Sequence, residues 1–242
     1  MYTNAPLIRL KNICFDFPGG KPILKGLCLE LNPSNRIGLM APNGSGKTTL
    51  FHLIMGLIEP TAGTIELFGQ PMNSETDFSA VRTRIGLLFQ DADDQLFSPT
   101  VLEDVAFGPL NQGKTVEEAV ALARSTLDFL DLKGFEDRIT FKLSGGEKRM
   151  VSLATVLAMQ PEVLLLDEPT TGLDRRTEHH LVAVLNQLGL PLILISHNPD
   201  FLSATVKHIY TMRDGKILFD EEYHIHHYSH SHPRGREPHR HD

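Results

Sequence analysis

"RIGLMAPNGSGKTTLFHLI", residues 36–54, joins a short apolar run to a helical one through a glycine-containing turn. Arg36–Met40 has the length of a short apolar strand. Leu50, Leu53, Ile54 and Leu57 then recur at helical spacing, and Pro60 predicts the stop. Between them, residues 41–48 read A-P-N-G-S-G-K-T, the pattern G-x-x-x-x-G-K-[ST] with Ala41 in place of the first glycine. Gly44 and Gly46 let the backbone bend so that successive N–H groups point at one phosphate, and the helix starting near Lys47 adds the positive end of its dipole. Lys47 is a point charge for β- and γ-phosphates, the Thr48 hydroxyl a ligand for Mg²⁺, and Thr49 a contact for the α-phosphate. Pro42, Asn43 and Ser45 complete the loop. The alternative is a glycine-rich turn that binds nothing; G-K-T between a strand and a helix argues against it. The Ala41 methyl matters only if that position needs a positive φ.

Further along, "VLLLDEP" (163–169) is an apolar strand that ends in two adjacent carboxylates. Ligands of α/β sheets bind at the carboxyl ends of the strands. There Asp167 can hold Mg²⁺, through water, and Glu168 can accept a proton from an attacking water. An acidic pair at a strand end can also cap a helix; beside a phosphate loop the catalytic reading dominates.

Outward from these two motifs the chain divides by texture. Residues 7–17, "LIRLKNICFDF", and 26–31 alternate like half-buried strands, with "PGGKP" as a turn between them. "GTIELFG" and "RIGLLFQ" are further strands. From about 91 to 160 the pattern becomes helical, with apolar positions 116, 119, 120, 123, 127 and 130 in one segment. "EVLLLD" and "LPLILIS" are apolar at nearly every position, as parallel strands covered on both faces are, with a helix expected over roughly 175–188 between them. "HIYTMRDGKILFD" predicts a hairpin turning at Asp214-Gly215. Cys14 and Cys28 lie in strand-like stretches and are expected to be buried thiols rather than a disulfide or a metal site.

The stretch "LSGGEKRMVSLATVLAMQPEVLLLDEPTTGLD" (143–174) resembles the ABC-transporter ATPase family, whose signature L-S-G-G-[EQ] precedes the second acidic motif at this distance. The resemblance covers residues 7 to about 220. It implies an α/β fold of the P-loop NTPase, ABC ATPase type: a mixed β-sheet core, an inserted helical subdomain at about 91–160 and an N-terminal antiparallel β-subdomain, all within residues 1–222. It implies ATP and Mg²⁺ as ligands. Ser144, Gly145, Gly146 and Glu147 open a helix that faces the γ-phosphate held by a second ATPase subunit in a head-to-tail dimer, either a homodimer or a pair with a paralogue. Gln90 matches the glutamine that senses Mg²⁺ and water, His197 the switch histidine at the γ-phosphate, and Asp174 the aspartate that communicates across the dimer. Phe17 matches the aromatic that stacks on adenine, with Phe15 the less favoured candidate and a core role for Phe17 the bland alternative.

"FQDADDQLFSPTVLEDVAFGPLNQG" (89–113) narrows the resemblance to ATPases of energy-coupling-factor importers, and within them to the cobalt/nickel subunit. Such an importer adds a transmembrane coupling subunit and a substrate-binding membrane subunit, and places the ATPase peripherally on the cytoplasmic face of the cell membrane. Asp91, Asp93 and Asp94 either face basic coupling helices or form a solvated loop. A vitamin importer, or a non-transport ABC ATPase acting on nucleic acid or ribosomes, is the alternative. With 30 acidic against 23 basic residues and a net charge of −7, the chain lacks the basic stripe of a nucleic-acid coat, so no nucleic-acid partner is expected. No apolar run reaches membrane-span length, and the N-terminus lacks the pattern of a secretory signal.

Residues 223–242 are expected to form a disordered His-rich tail. His224, His226, His227, His230, His232, His239 and His241 fall in its last nineteen residues, without the spacing or cysteines of a zinc finger. Imidazole clusters bind borderline metals, so Ni²⁺ or Co²⁺ on the tail is one reading and a solvated filler the other.

Overall fold

The computed structural model describes residues 5–218, so the histidine-rich tail and its proposed metal ligands lie outside the described residues. Ten strands and seven α-helices are described within that range. Strand β1 (Ile8–Phe15) buries Ile8, Leu10, Ile13 and Phe15, and β2 (Leu24–Leu31) buries Leu24, Leu27, Leu29 and Leu31. The two pair antiparallel, with a register shift around Asn12, whose φ of 52° marks the bulge. Strand β1 also pairs antiparallel with β4 (Ala62–Leu67), which pairs with β5 (Gln70–Pro71), so one sheet has the order β2-β1-β4-β5. Pairing across more than forty residues of sequence brings β4 to a subdomain that periodicity assigned only to the first strands.

The second sheet runs β10 (Lys216–Leu218), β9 (His208–Arg213), β3 (Arg36–Met40), β8 (Leu192–Ile195), β7 (Val163–Asp167), β6 (Ile85–Leu88). Its pairs are parallel except β10 with β9. Every residue of β7 and β8 is buried, as the unbroken apolar runs predict. Helix α1 (Lys47–Ile54) sits in a core shared by the two sheets, with Leu50, Phe51, Leu53 and Ile54 buried. It ends one turn earlier than the apolar spacing suggests. Gly56 takes a φ of 66° and packs against Phe78, where a Cβ would come within 2.4 Å of the ring. Leu57 is thereby turned out to solvent.

The opposite core joins the sheet to α3 (Val101–Asn111), α4 (Val116–Phe129) and α5 (Gly145–Ala158), which pack on one another in the stretch predicted to be helical. Thr100, Thr115 and Ser144 each close a capping box with a glutamate three residues on, which fixes where these helices start. A short helix α2 (Glu75–Arg82) precedes β6. Helix α6 (Arg175–Leu188) matches its expected bounds and is capped by Asp174 and by Gly189 in the left-handed region. Helix α7 (Pro199–Thr205) follows, and β9 turns into β10 through Asp214 and Gly215 with φ of 52° and 76°, the two left-handed residues of a tight hairpin. Both cysteines are free thiols, but the expectation that they are buried fails. Cys14 is half-buried and Cys28 exposed, because both lie on the outer face of the antiparallel sheet.

Candidate nucleotide site

The phosphate loop leaves β3 and enters α1 at the carboxyl end of the parallel sheet. Gly44 and Gly46 have φ of 75° and 96°, and a Cβ at Gly46 would lie 2.9 Å from the Ile23 and Leu24 side chains. Ala41 is buried and absent from the positive-φ residues, so its methyl introduces no strain.

Lys47 is 7% exposed. Its Nζ donates to Glu168 Oε1 at 3.1 Å, His197 Nε2 at 2.8 Å and Asn43 Oδ1 at 3.4 Å. An ammonium can only donate, so His197 Nε2 accepts and its proton sits on Nδ1. The 3.2 Å approach of Nε2 to Glu168 Oε1 is then a shared contact with Lys47 rather than an ion pair. The His197 backbone N–H donates to Glu168 Oε2 at 3.2 Å. Glu168 itself adopts a φ of 45°. For a non-glycine residue this conformation costs on the order of 1–3 kcal/mol and needs surrounding bonds to hold it.

Beside this trio the Thr48 hydroxyl donates to Asp167 Oδ2 at 3.0 Å. Asp167 Oδ1 is buried and has no partner among the described residues. Burial is the largest influence on the Asp167 carboxyl and raises its pKa from the ordinary 3.8, against the lowering effect of the Thr48 hydroxyl bond and the nearby Lys47 charge. A hydroxyl and an unsatisfied carboxylate oxygen are the hard donors that Mg²⁺ takes, so the residues fit that ion. Gln90 is exposed and lines the same cavity as Thr48, about 750 Å³ in volume, with Asp91, Gly145 and Lys148. Of the acidic cluster, Asp91 caps a short 3₁₀ turn and Asp93 pairs with Lys148 at 2.5 Å.

Ser144 is the N-cap of α5: its hydroxyl accepts the Glu147 N–H, and Glu147 Oε2 accepts from the Ser144 N–H at 2.8 Å. That backbone bond is the main reason the Glu147 carboxyl is held below its usual range. Ser144, Gly145, Gly146, Glu147 and Asp174 line a second open cavity, of about 670 Å³. Asp174 accepts the Thr177 N–H at 2.8 Å, which likewise lowers its pKa. Phe15 is buried, whereas Phe17 is 53% exposed and stands edge-on to it at 5.0 Å, so of the two only Phe17 offers ring surface to a base. Thr49 is half-buried in the first turn of α1. Within one chain, then, Asn43, Lys47, Glu168 and His197 meet, as do Thr48 and Asp167, whereas no hydrogen bond among the described residues joins Phe17, Ser144 or Asp174 to them, and Gly145 shares only the cavity that Thr48 lines.

Sequence reasoning missed Arg149. Its guanidinium is 3% exposed and donates to four main-chain carbonyls. They belong to Asp167 (2.7 Å), Glu168 (2.5 Å), Pro169 (3.1 Å) and Phe89. Burial lowers its pKa to about 10, with Asp167, Asp91 and Glu168 opposing that shift, so it stays charged at neutral pH. Lysine and arginine after a helix start read as surface charge, and nothing in the local pattern signals a buried one.

A family model described as ABC transporter matches residues 24–171. The chain is 48% identical, over 99% of its length and 91% of the other's, to a putative ABC transporter ATP-binding protein of Nitratidesulfovibrio vulgaris. It is 40% identical to the energy-coupling factor transporter ATP-binding protein EcfA of Methanocaldococcus jannaschii, covering 88% of this chain and 77% of that one. Among solved structures, cbiO1 from Clostridium perfringens, part of the ABC transporter complex cbiONQ, superposes with a TM-score of 0.79 at 30% identity, covering 88% and 87% of the two chains.

Proposed function

The chain belongs to the family of ABC transporter ATP-binding subunits, and from that premise we propose that it powers an importer of the energy-coupling-factor type whose cargo is cobalt or nickel ion. The observation that carries the catalytic part is the meeting of Lys47, Glu168 and His197 at the strand ends, next to the Thr48–Asp167 pair. In this reading the amides of residues 43–47 and the Lys47 ammonium hold the phosphates of ATP, with Thr48 and Thr49 continuing the cradle along α1. Lys47 leaves Glu168 for the β- and γ-phosphates, which frees the carboxylate to take a proton from the attacking water. His197, already within reach of Lys47, turns its ring to the γ-phosphate. Thr48 and Asp167, with Gln90 at the rim, would hold Mg²⁺, which when bound neutralises phosphate charge. Phe17 stacks on adenine. Phosphoryl transfer asks for little covalent chemistry from the protein, so the reaction is mainly one of positioning and electrostatics.

The Ser144–Glu147 helix start and Asp174 do not meet the phosphate loop's Lys47 within one chain. We assign them to the nucleotide of a second ATPase subunit, which makes the working unit a head-to-tail dimer. A groove of about 490 Å³ between the sheet and the helical lobe is lined by exposed Leu57, Phe97 and Phe107. It suits a helix of the transmembrane coupling subunit, with Asp94 at its rim for a basic side chain. No helix among the described residues is long and apolar enough to cross a membrane, so attachment at the cytoplasmic face would run through that subunit. The metal cargo is supported by the 89–113 resemblance and by the seven tail histidines, which we assign to weak Ni²⁺ or Co²⁺ binding. The test is co-purification with native membrane proteins followed by uptake assays in cells. Uptake of Ni²⁺ or Co²⁺ that needs Glu168 supports the reading; vitamin uptake with the same dependence moves the cargo to the alternative.

A further inference from the structure

Four carbonyls converge on one buried side chain, and three of them are consecutive. Asp167, Glu168 and Pro169 all turn their oxygens toward Arg149. Such convergence is incompatible with a continuing strand, whose carbonyls alternate in direction. It is achieved by the left-handed φ of 45° at Glu168. The Glu168 carbonyl accepts twice, from Arg149 and from the Thr171 N–H at 3.2 Å. The fourth carbonyl belongs to Phe89, the residue before Gln90. Arg149 itself lies five residues beyond Ser144, in the second turn of α5. One guanidinium therefore ties the start of the signature helix to the backbone of the general base and to the backbone of the glutamine loop. A lysine has the same charge but no fork of N–H groups, so it cannot span carbonyls on two separate segments in this way.

We propose that Arg149 is a positioning residue for ATP hydrolysis, holding Glu168 in its strained conformation and fixing Gln90 relative to the helix that begins at Ser144. It touches neither phosphate nor water. Its effect reaches the reaction through the Glu168 side chain, which is aimed by the backbone that Arg149 clamps. It also makes the helical lobe and the catalytic carboxylate one mechanical unit: a rotation of α5 that shifts Ser144 must pull on the carbonyls of residues 167–169 and of Phe89. This inference rests on Glu168 being the general base. Arg149 lines the cavity beside Thr48, but its hydrogen bonds all go to residues 89 and 167–169 and none to the phosphate loop, so nucleotide binding should be spared.

The test uses the full chain with Arg149→Lys and Arg149→Gln, alongside Glu168→Gln. ATP affinity is measured with a fluorescent analogue, and kcat is counted per ATP-binding site so that unfolded protein does not enter. Amide hydrogen exchange is followed over residues 88–92 and 167–171. The expected result is ATP affinity and KM within about threefold of wild type, kcat down at least tenfold in both variants, the lysine less affected, and faster exchange in both segments. Wild-type kcat per binding site in Arg149→Lys would overturn the proposal, as would a parallel loss of affinity and kcat with unchanged exchange at 167–171. If Glu168→Gln hydrolyses ATP normally while the Arg149 variants fail, the general-base reading is what falls.

Discussion

Glu168→Gln tests both halves of the site at once. The Glu168 carboxylate is tied to Lys47 at 3.1 Å, with the two side chains only 9% and 7% exposed. The carboxylate accepts from Lys47 on Oε1 and from the His197 N–H on Oε2. The amide keeps one acceptor oxygen, which serves Lys47, turns a donor NH₂ toward the His197 N–H and removes the charge. Lys47 stays charged, so its bond to the amide is still one to a charged group; what is lost is the attraction between two opposite charges, about 1 kcal/mol of the tether. ATP must break that tether to recruit Lys47, so its affinity should rise by about fivefold. The same change removes the proton acceptor, which should lower kcat by about two to four orders of magnitude. Phosphate release and equilibrium binding of a fluorescent ATP analogue, with Mg²⁺ present, measure the two effects separately. Hydrolysis within tenfold of wild type would refute the general base. Unchanged or weaker ATP affinity would refute the idea that Lys47 is held in reserve by Glu168.

The remaining expectations follow from the same geometry. Ser144→Arg should leave ATP binding at Lys47 within a few-fold of wild type and abolish ATP-dependent dimerisation, read by sedimentation; an unchanged dimer contradicts the head-to-tail assignment. Asp167→Asn should abolish Mg²⁺-dependent turnover yet raise the melting temperature of the nucleotide-free protein at pH 7.5. Burial raises the Asp167 pKa, so this group's contribution to stability is fully present below its unfolded value and lost as pH rises through the folded one. The variant's advantage should therefore shrink toward pH 4, and an advantage independent of pH would show that the charge is not its source. Truncation after Glu222 should leave ATPase activity near wild type and remove Ni²⁺ binding seen by calorimetry at pH 7.5, binding that should already be weak at pH 5.5, where imidazoles with pKa near 6.5 hold their protons. Equal binding by full-length and truncated chains would leave the tail as filler.

The phosphate loop, the bounds of α6 and the β9–β10 hairpin were legible in the sequence because each depends on local chemistry. A glycine that tolerates positive φ, a capping aspartate or an Asp-Gly turn acts within a few residues, and its pattern is written there. The two apolar strands β7 and β8 were legible because burial on both faces leaves no polar position to interrupt the run. The end of α1 was not, because Gly56 is fixed by contact with Phe78, more than twenty residues away. The exposure of Cys28 was not, because alternation says which residues share a face and only sheet packing says which face is covered. Nor was the place of β4, whose partner β1 lies on the other side of the phosphate loop. At the site, sequence motifs supplied the residue types, while the fold alone decided that Lys47 rests on Glu168 and His197 across more than one hundred residues. Arg149 is the clearest case. As a sequence letter it is one more charge near a helix start, and its burial among four carbonyls exists only because α5, the end of β7 and the segment after β6 meet at one point. Charge placement of that kind is set by desolvation and long-range packing, and neither has a local pattern to read.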